Sequence, residues 1–345
     1  MNDNKPPIDW SDRLVGFGAG LSSALLFAAS TRGTGLAIAL AYVCVLPQLI
    51  GALGFSAGAA VAGAAAGALF LSQAGEPLLG VGFFLGFALP GSALGLLARW
   101  SWRKDPDLAA PPLWPSPGLL LAGAVALSTL VAWALTGGLI WSEGGFDAAV
   151  RSSLGEYGPG IDKALRKLRE IAPDFDLDLA KKLFVLCLPA AVAGSQTLLL
   201  TFNLWLAGRA VEISGRLDRD WPPLPETTVL PRALGLAFVV AVGLCFYSAP
   251  VAVFAGAFAA SAGFALALQG LACIHALTRD HGSRGMVLAG AYAVALVGLT
   301  AAPPLLILFV LFGLAESAFS LRARKARAKP TEKKEPGESN GSDPA

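Results

Sequence analysis

The chain has 345 residues, 55% of them hydrophobic and 14% charged, with a net charge of +2 and a mean hydropathy of +0.62. Soluble domains carry about 25% charged residues, so a water-soluble globule is excluded: its core could not hide this much apolar surface. Basic residues gather at the ends of apolar segments instead of forming a stripe with aromatic partners, which argues against nucleic acid as a partner.

The apolar residues come in continuous runs of about 16 to 28, near the ~20 a helix needs to cross a bilayer. Backbone groups in hydrocarbon must pair within their own segment, so unbroken runs imply helices and not the alternating strands of a barrel. The expected fold class is an all-α membrane protein, a polytopic bundle of about 8 to 10 transmembrane helices with one amphipathic helix outside the membrane. Its expected place is a bacterial inner membrane.

The segment 1–13 is short and polar. Lys5 and Arg13 precede an apolar run that ends at Ala28-Ala29-Ser30, loosely like a signal-peptidase site, but Asp3, Asp9 and Asp12 dilute the charged region and a second apolar run follows at once. An uncleaved first span is the better reading. Spans are expected at about 14–31, 34–53, 56–73 and 78–98, joined by tight hairpins. Glycines recur at i, i+4 in Gly16/Gly20, Gly54/Gly58, Gly63/Gly67, Gly82/Gly86 and Gly91/Gly95, the spacing that lets helix backbones approach closely.

Residues 99–117 form a polar, Pro-rich linker, and a fifth span follows at about 118–141, ending in Trp141, where the interfacial aromatic belt falls. The polar insertion at 143–181 keeps an i, i+3, i+4, i+7 rhythm in Ile161, Ala164, Leu165, Leu168 and Ile171, which predicts an amphipathic helix at the membrane surface. The sixth span, about 179–213, would be roughly 50 Å long at 1.5 Å per residue and overshoots the hydrocarbon core; Pro189 is expected to kink it. After a connector at 214–231 come spans at about 232–248 and 251–278, then a hairpin over 286–321 turning at Pro303-Pro304. The tail 322–345 has the composition of a disordered segment.

Orientation follows from Lys and Arg in short loops, which are retained in the cytoplasm. Seven basic residues lie between Arg322 and Lys334, so the tail is placed inside. Counting back through ten spans puts Arg279/Arg284, the connector from Arg209 to Arg232, Arg99 to Lys104 and the N-terminus inside too. The insertion and the turns at Tyr247 to Pro250 and Pro303 then fall outside.

Few groups in the spans can carry chemistry. Ionisable groups are costly in a bilayer and are functional candidates by default; His275 and Glu316 stand near the inner ends of their spans and read either as a substrate or ion contact, alone or paired with Arg209 or Arg279, or, as the plainer expectation, as interfacial groups or a helix-end salt bridge. The sixth span holds the densest neutral polar set, Gln196, Thr197, Thr201 and Asn203, with Gln196 and Asn203 on one face. Each amide wants either a ligand or a neighbouring helix, the latter at about 1 kcal/mol, and Gln48 and Gln269 are candidates for the same cluster. The candidate substrate contacts are therefore Gln196, Asn203, Arg209, His275 and Glu316, in a pocket between the sixth, eighth and tenth spans.

Cys44, Cys187, Cys245 and Cys273 lack metal-ligand spacing and read as buried thiols. Phosphate loops, nucleophile elbows and H-E-x-x-H are missing, so no enzyme activity, cofactor or metal is expected. No span carries the paired carboxylates of a proton or cation exchanger.

The run Asn203-Leu204-Trp205-Leu206-Ala207-Gly208-Arg209-Ala210-Val211, then Ser214-Gly215-Arg216-Leu217 and a Trp-Pro connector, resembles the YybS-like family of bacterial membrane proteins in its alphaproteobacterial form. His275-Ala276-Leu277-Thr278-Arg279, Gly313-Leu314-Ala315-Glu316 with Arg322, and the Leu188 to Ala190 helix start are similar to the same family, a resemblance that covers most of the chain and is strongest over about 140–322. That layout is similar to the substrate-binding S components of energy-coupling-factor transporters, which implies small-molecule binding and an ATPase partner. The extra N-terminal spans and the long insertion depart from the six-span S component. The competing expectation is a non-transporting scaffold that recruits partners or anionic lipid through its insertion and basic tail.

Overall fold

A computed structural model describes residues 10–30, 34–74, 77–101, 113–171, 176–217 and 219–328. The first half of the chain forms α1 (Trp10–Ser30), α2 (Gly35–Val43), α3 (Leu46–Gly54), α4 (Ala57–Ala74), α5 (Pro77–Phe83) leading through a π turn (Phe84–Ala88) into α6 (Leu89–Arg99), α7 (Pro117–Ser142) and α8 (Phe146–Ile171). The second half forms α9 (Leu177–Ile213), α10 (Leu224–Thr227), α11 (Arg232–Leu244), α12 (Ala249–Leu277), α13 (Arg284–Thr300), a 3-10 turn (Pro303–Leu306), α14 (Ile307–Phe319) and α15 (Leu321–Ala328). The protein is an all-α polytopic membrane bundle. Among the described residues seven helical segments are long and apolar enough to cross a membrane, with the pairs α2–α3 and α5–α6 each counting as one, and three shorter apolar helices complete the set: Arg232–Leu244, Arg284–Thr300 and Pro303–Phe319.

Glycine sets how closely the helices approach. A Cβ added at Gly16 or Gly20 would collide with the backbone of Ala59 or Gly63, and one at Gly67 with Gly20. The i, i+4 glycines of α1 and α4 thus form one backbone-to-backbone seam, as small-residue spacing predicts. Gly91/Gly95 pack on Val45 and Ala52, whereas Gly82 and Gly86 face open space. A second seam joins α12 and α14, where Gly270 meets Phe309 and Gly313 meets Leu266 through backbone atoms. Leucines and alanines of α3, α6, α7 and α9 fill the main core around Leu49, Leu94 and Leu200.

The chain ends of alternate helices meet at one face. Arg219 donates to Ala98 at the end of α6 and to Pro115 before α7, Arg216 lies over Phe55 at the end of α3, and Lys325 donates to Leu277 at the end of α12. We call this the basic face. At the opposite face Trp141, Phe246 and Tyr247 are exposed, as aromatic residues are at a membrane boundary.

The structure refines several of these expectations. The sixth span is one 37-residue helix with Pro189 inside it, and near its start Lys181 Nζ sits 2.7 Å from Asp162 of α8. The amphipathic helix is longer than its rhythm suggested: it starts at Phe146 and buries Ala149, Ser153 and Ile161, while the side chains of Leu165, Leu168 and Ile171 lie outside the described residues. The segment expected to be a disordered tail opens with α15, since Arg322 and Lys325 are bonded back to the bundle; residues 329–345 lie outside the described residues, as do 1–9 and most of the 99–117 linker. Cys44 and Cys273 are buried, but Cys187 is exposed and Cys245 half-buried, because an apolar run does not distinguish a bundle-facing from a lipid-facing position. All four thiols are free.

Candidate functional site

The amides of the long helices serve the backbone of their neighbours. Gln196 Nε2 donates to the Gly86 carbonyl at 2.6 Å. In an α-helix that carbonyl would receive the N–H four residues on, but position 90 is proline and has none; the helix widens into the π turn, and Gln196 supplies the missing donor. Asn203 Nδ2 donates to the Tyr42 carbonyl at 2.6 Å, beside the break that Pro47 forces between α2 and α3. Asn203 Oδ1 is buried without a partner. Gln48 donates to the Ala60 carbonyl and to Ser92. Gln269, fully buried, donates to the Gly313 carbonyl and to Ser317 and accepts from the Leu230 N–H.

The charged candidates form two separate groups. Arg209 pairs with Glu212 at 2.5 Å on the exposed side of α9, and Glu212 in turn accepts the Trp221 N–H at 3.0 Å. Glu316 is 4% exposed: one oxygen accepts Arg322 Nε at 2.9 Å and the other the Arg322 N–H at 3.2 Å. Ser320, with φ of 50°, turns the chain so that Arg322 comes back over the carboxylate. Arg322 also donates to the Pro225 and Thr228 carbonyls, both at 2.7 Å, which locks α14, α15 and the connector together. Arg279 pairs with Glu226.

Near the basic face a cavity of about 370 Å³ opens between α7, α9, α12, α13 and the connector, within the size range of small-molecule sites. Its wall includes Thr201, Trp205, Trp221, Thr228, His275 and Tyr292 against leucines of α7 and α12. None of the described lining residues is Asp, Glu, Lys or Arg. Two polar atoms of that wall, Thr201 Oγ1 and Trp221 Nε1, are buried and have no hydrogen-bond partner. Such a group forfeits roughly 1–3 kcal/mol until it is partnered. At the rim His275 Nε2 and the Tyr292 hydroxyl are 2.8 Å apart, with their rings edge to face at 5.6 Å between centroids.

The connector builds one wall of this cavity. The Trp221 indole rests directly on Gly208, where a Cβ would come within 2.7 Å of the ring. Arg219 lies 5.7 Å from the Trp221 ring and 5.0 Å from that of Trp114, and burial draws its pKa below the ordinary arginine value. Of the five sequence candidates, His275 lines the cavity, Gln196 and Asn203 join helices, Arg209 acts on Trp221 through Glu212, and Glu316 holds Arg322. The cavity residues that sequence reasoning did not select are Trp221, Thr228 and Tyr292. A tryptophan within a Pro-rich connector, away from any span end, is a signal that could have found the first; Tyr292 has none.

A second cavity, about 210 Å³, lies under α8 at the opposite face between Leu135, Phe146, Ser153, Tyr157 and Pro189. Among the described residues no group of three or more His, Cys, Asp or Glu could hold a metal ion. Comparison with protein-family models, with curated proteins and with solved structures gives no match.

Proposed function

We propose that this integral membrane protein binds a small, neutral, largely apolar molecule carrying a carbonyl or hydroxyl oxygen, in the cavity between α7, α9, α12 and α13. The observation that carries the reading is the pair of buried, unpartnered polar atoms, Thr201 Oγ1 and Trp221 Nε1, on residues of a largely apolar wall. Indole N–H is a donor only, so the ligand presents an acceptor to Trp221, while His275 and Tyr292 offer a polar rim.

The described wall holds no carboxylate to couple movement to an ion gradient, so we read the chain as a binding component that relies on an energising partner, in keeping with its resemblance to transporter S components. A bacterial inner membrane with the basic face in the cytoplasm agrees with the clustering of arginines at that face. The scaffold reading draws less support: Arg322 and Lys325, at the root of the tail, are engaged inside the bundle.

The test is thermal unfolding of the detergent-purified chain against a panel of neutral apolar metabolites, because a ligand that binds only the folded form raises its stability. A panel member should raise the melting temperature of the wild type and lose about tenfold in affinity for Trp221→Phe, the equivalent of one hydrogen bond of about 1.4 kcal/mol. A panel without a hit, or a hit indifferent to Trp221→Phe and Thr201→Val alike, would remove the proposal.

A further inference from the structure

A second site lies on the same face but outside the cavity. Three guanidinium groups surround the turn between α3 and α4. Arg216 lies 4.4 Å from the centroid of the Phe55 ring. Arg13 brings its Nε within 3.5 Å of the point where Gly58 would carry a Cβ, a point 3.6 Å from Ser56 Oγ. Arg99 closes α6, and its Nη1 is buried with no acceptor. None of the three forms an ion pair among the described residues, in contrast to Arg209, Arg279 and Arg322 on the same face. Arg99 lines an open groove of about 630 Å³, with Ser56 and Ala57 of the same turn beside it and the half-buried apolar side chains of Ala93, Leu96 and Leu97 along its length, while Arg13 and Arg216 flank that turn from Gly58 and Phe55. Trp100 is 64% exposed at its mouth, the position of an interfacial tryptophan.

Arginines that no carboxylate pairs with among the described residues call for an anion, and guanidinium forks match phosphate oxygens. The apolar floor that continues from Arg99 would be left uncovered by a free phosphate ester but suits an acyl chain. We propose that this groove is a binding site for an anionic phospholipid, with the phosphodiester held by Arg99, supported by Arg13 and Arg216, and one acyl chain lying along Ala93, Leu96 and Leu97. Basic pockets between membrane helices recognise headgroups in this way. The site is independent of the cavity at Trp221 and stands whether or not that cavity takes a ligand.

The experiment is native mass spectrometry of the full chain in nonionic detergent with phosphatidylglycerol and phosphatidylcholine of matched acyl chains at equal concentration. The wild type is expected to retain phosphatidylglycerol in preference. Arg99→Gln should weaken retention about fivefold, the worth of about 1 kcal/mol per basic residue at a membrane surface. Arg99→Lys should retain an intermediate amount, and Ala93→Phe, which blocks the apolar floor but leaves every charge, should also lose lipid. Arg279→Gln, which removes a paired arginine of the same face, should behave as wild type. Equal retention of the two lipids, full retention by Arg99→Gln or Ala93→Phe, or an equal loss in Arg279→Gln would each overturn the proposal. Effective competition by glycerol phosphate would overturn it as well, by assigning the site to free phosphate esters.

Discussion

Replacing Glu316 by alanine strips a buried arginine of its counter-charge. Glu316 and Arg322 expose 4% and 10% of their side chains, so neither is stabilised much by water once its partner is gone, and breaking a buried pair from one side typically costs 3–5 kcal/mol. Arg322 keeps two carbonyl acceptors, Pro225 and Thr228, which places Glu316→Ala at the low end, about 3 kcal/mol. Glu316→Gln, which keeps the shape and one acceptor oxygen, should fall between the alanine variant and wild type. The surface pair Lys181–Asp162, with side chains 19% and 45% exposed, provides the contrast: Asp162→Asn should cost less than about 1 kcal/mol. Unfolding by SDS from mixed micelles, followed by tryptophan fluorescence, measures all three, and a double-mutant cycle with Arg322→Ala should be non-additive by at least about 1 kcal/mol. Glu316→Ala within about 0.5 kcal/mol of wild type, the range of an unremarked surface change, would refute the idea that this pair fastens α15 and the connector to the bundle.

Further outcomes follow from the same geometry. Gly20→Leu and Gly313→Val place a side chain where the backbone of a neighbouring helix already lies, so both should lose most of the folded monodisperse fraction in size-exclusion chromatography; Gly82→Ala, with open space around it, should match wild type or gain up to about 1 kcal/mol in helix propensity. Gln196→Leu strands the Gly86 carbonyl and Asn203→Leu the Tyr42 carbonyl, each at about 0.6–1.7 kcal/mol by membrane double-mutant precedent. Neither variant should alter the ligand-induced melting shift, and if Gln196→Leu abolished that shift while the fold survived, the cavity assignment would be wrong.

What the sequence determined by itself is the solvent and the segments. Run length, the scarcity of charge and the placement of Arg99, Arg216 and Arg279 at run ends are local quantities, and the bilayer acts on each segment separately, so spans and a shared basic face can be read residue by residue. The seam between α1 and α4 was legible for the same reason: Gly16/Gly20 and Gly63/Gly67 carry the spacing of close approach on their own helices. Only the tertiary structure decided what the polar groups do. Gln196 meets Gly86 from 110 positions away, because Pro90 frees a carbonyl that no sequence rule assigns to it, and an amide turned to a helix looks the same in sequence as one turned to a ligand. The cavity at Trp221 depends on a connector folding back onto Gly208, a contact between segments that the hydrophobic pattern leaves unspecified, since lipid is as apolar as a neighbouring helix and burial alone does not choose between them.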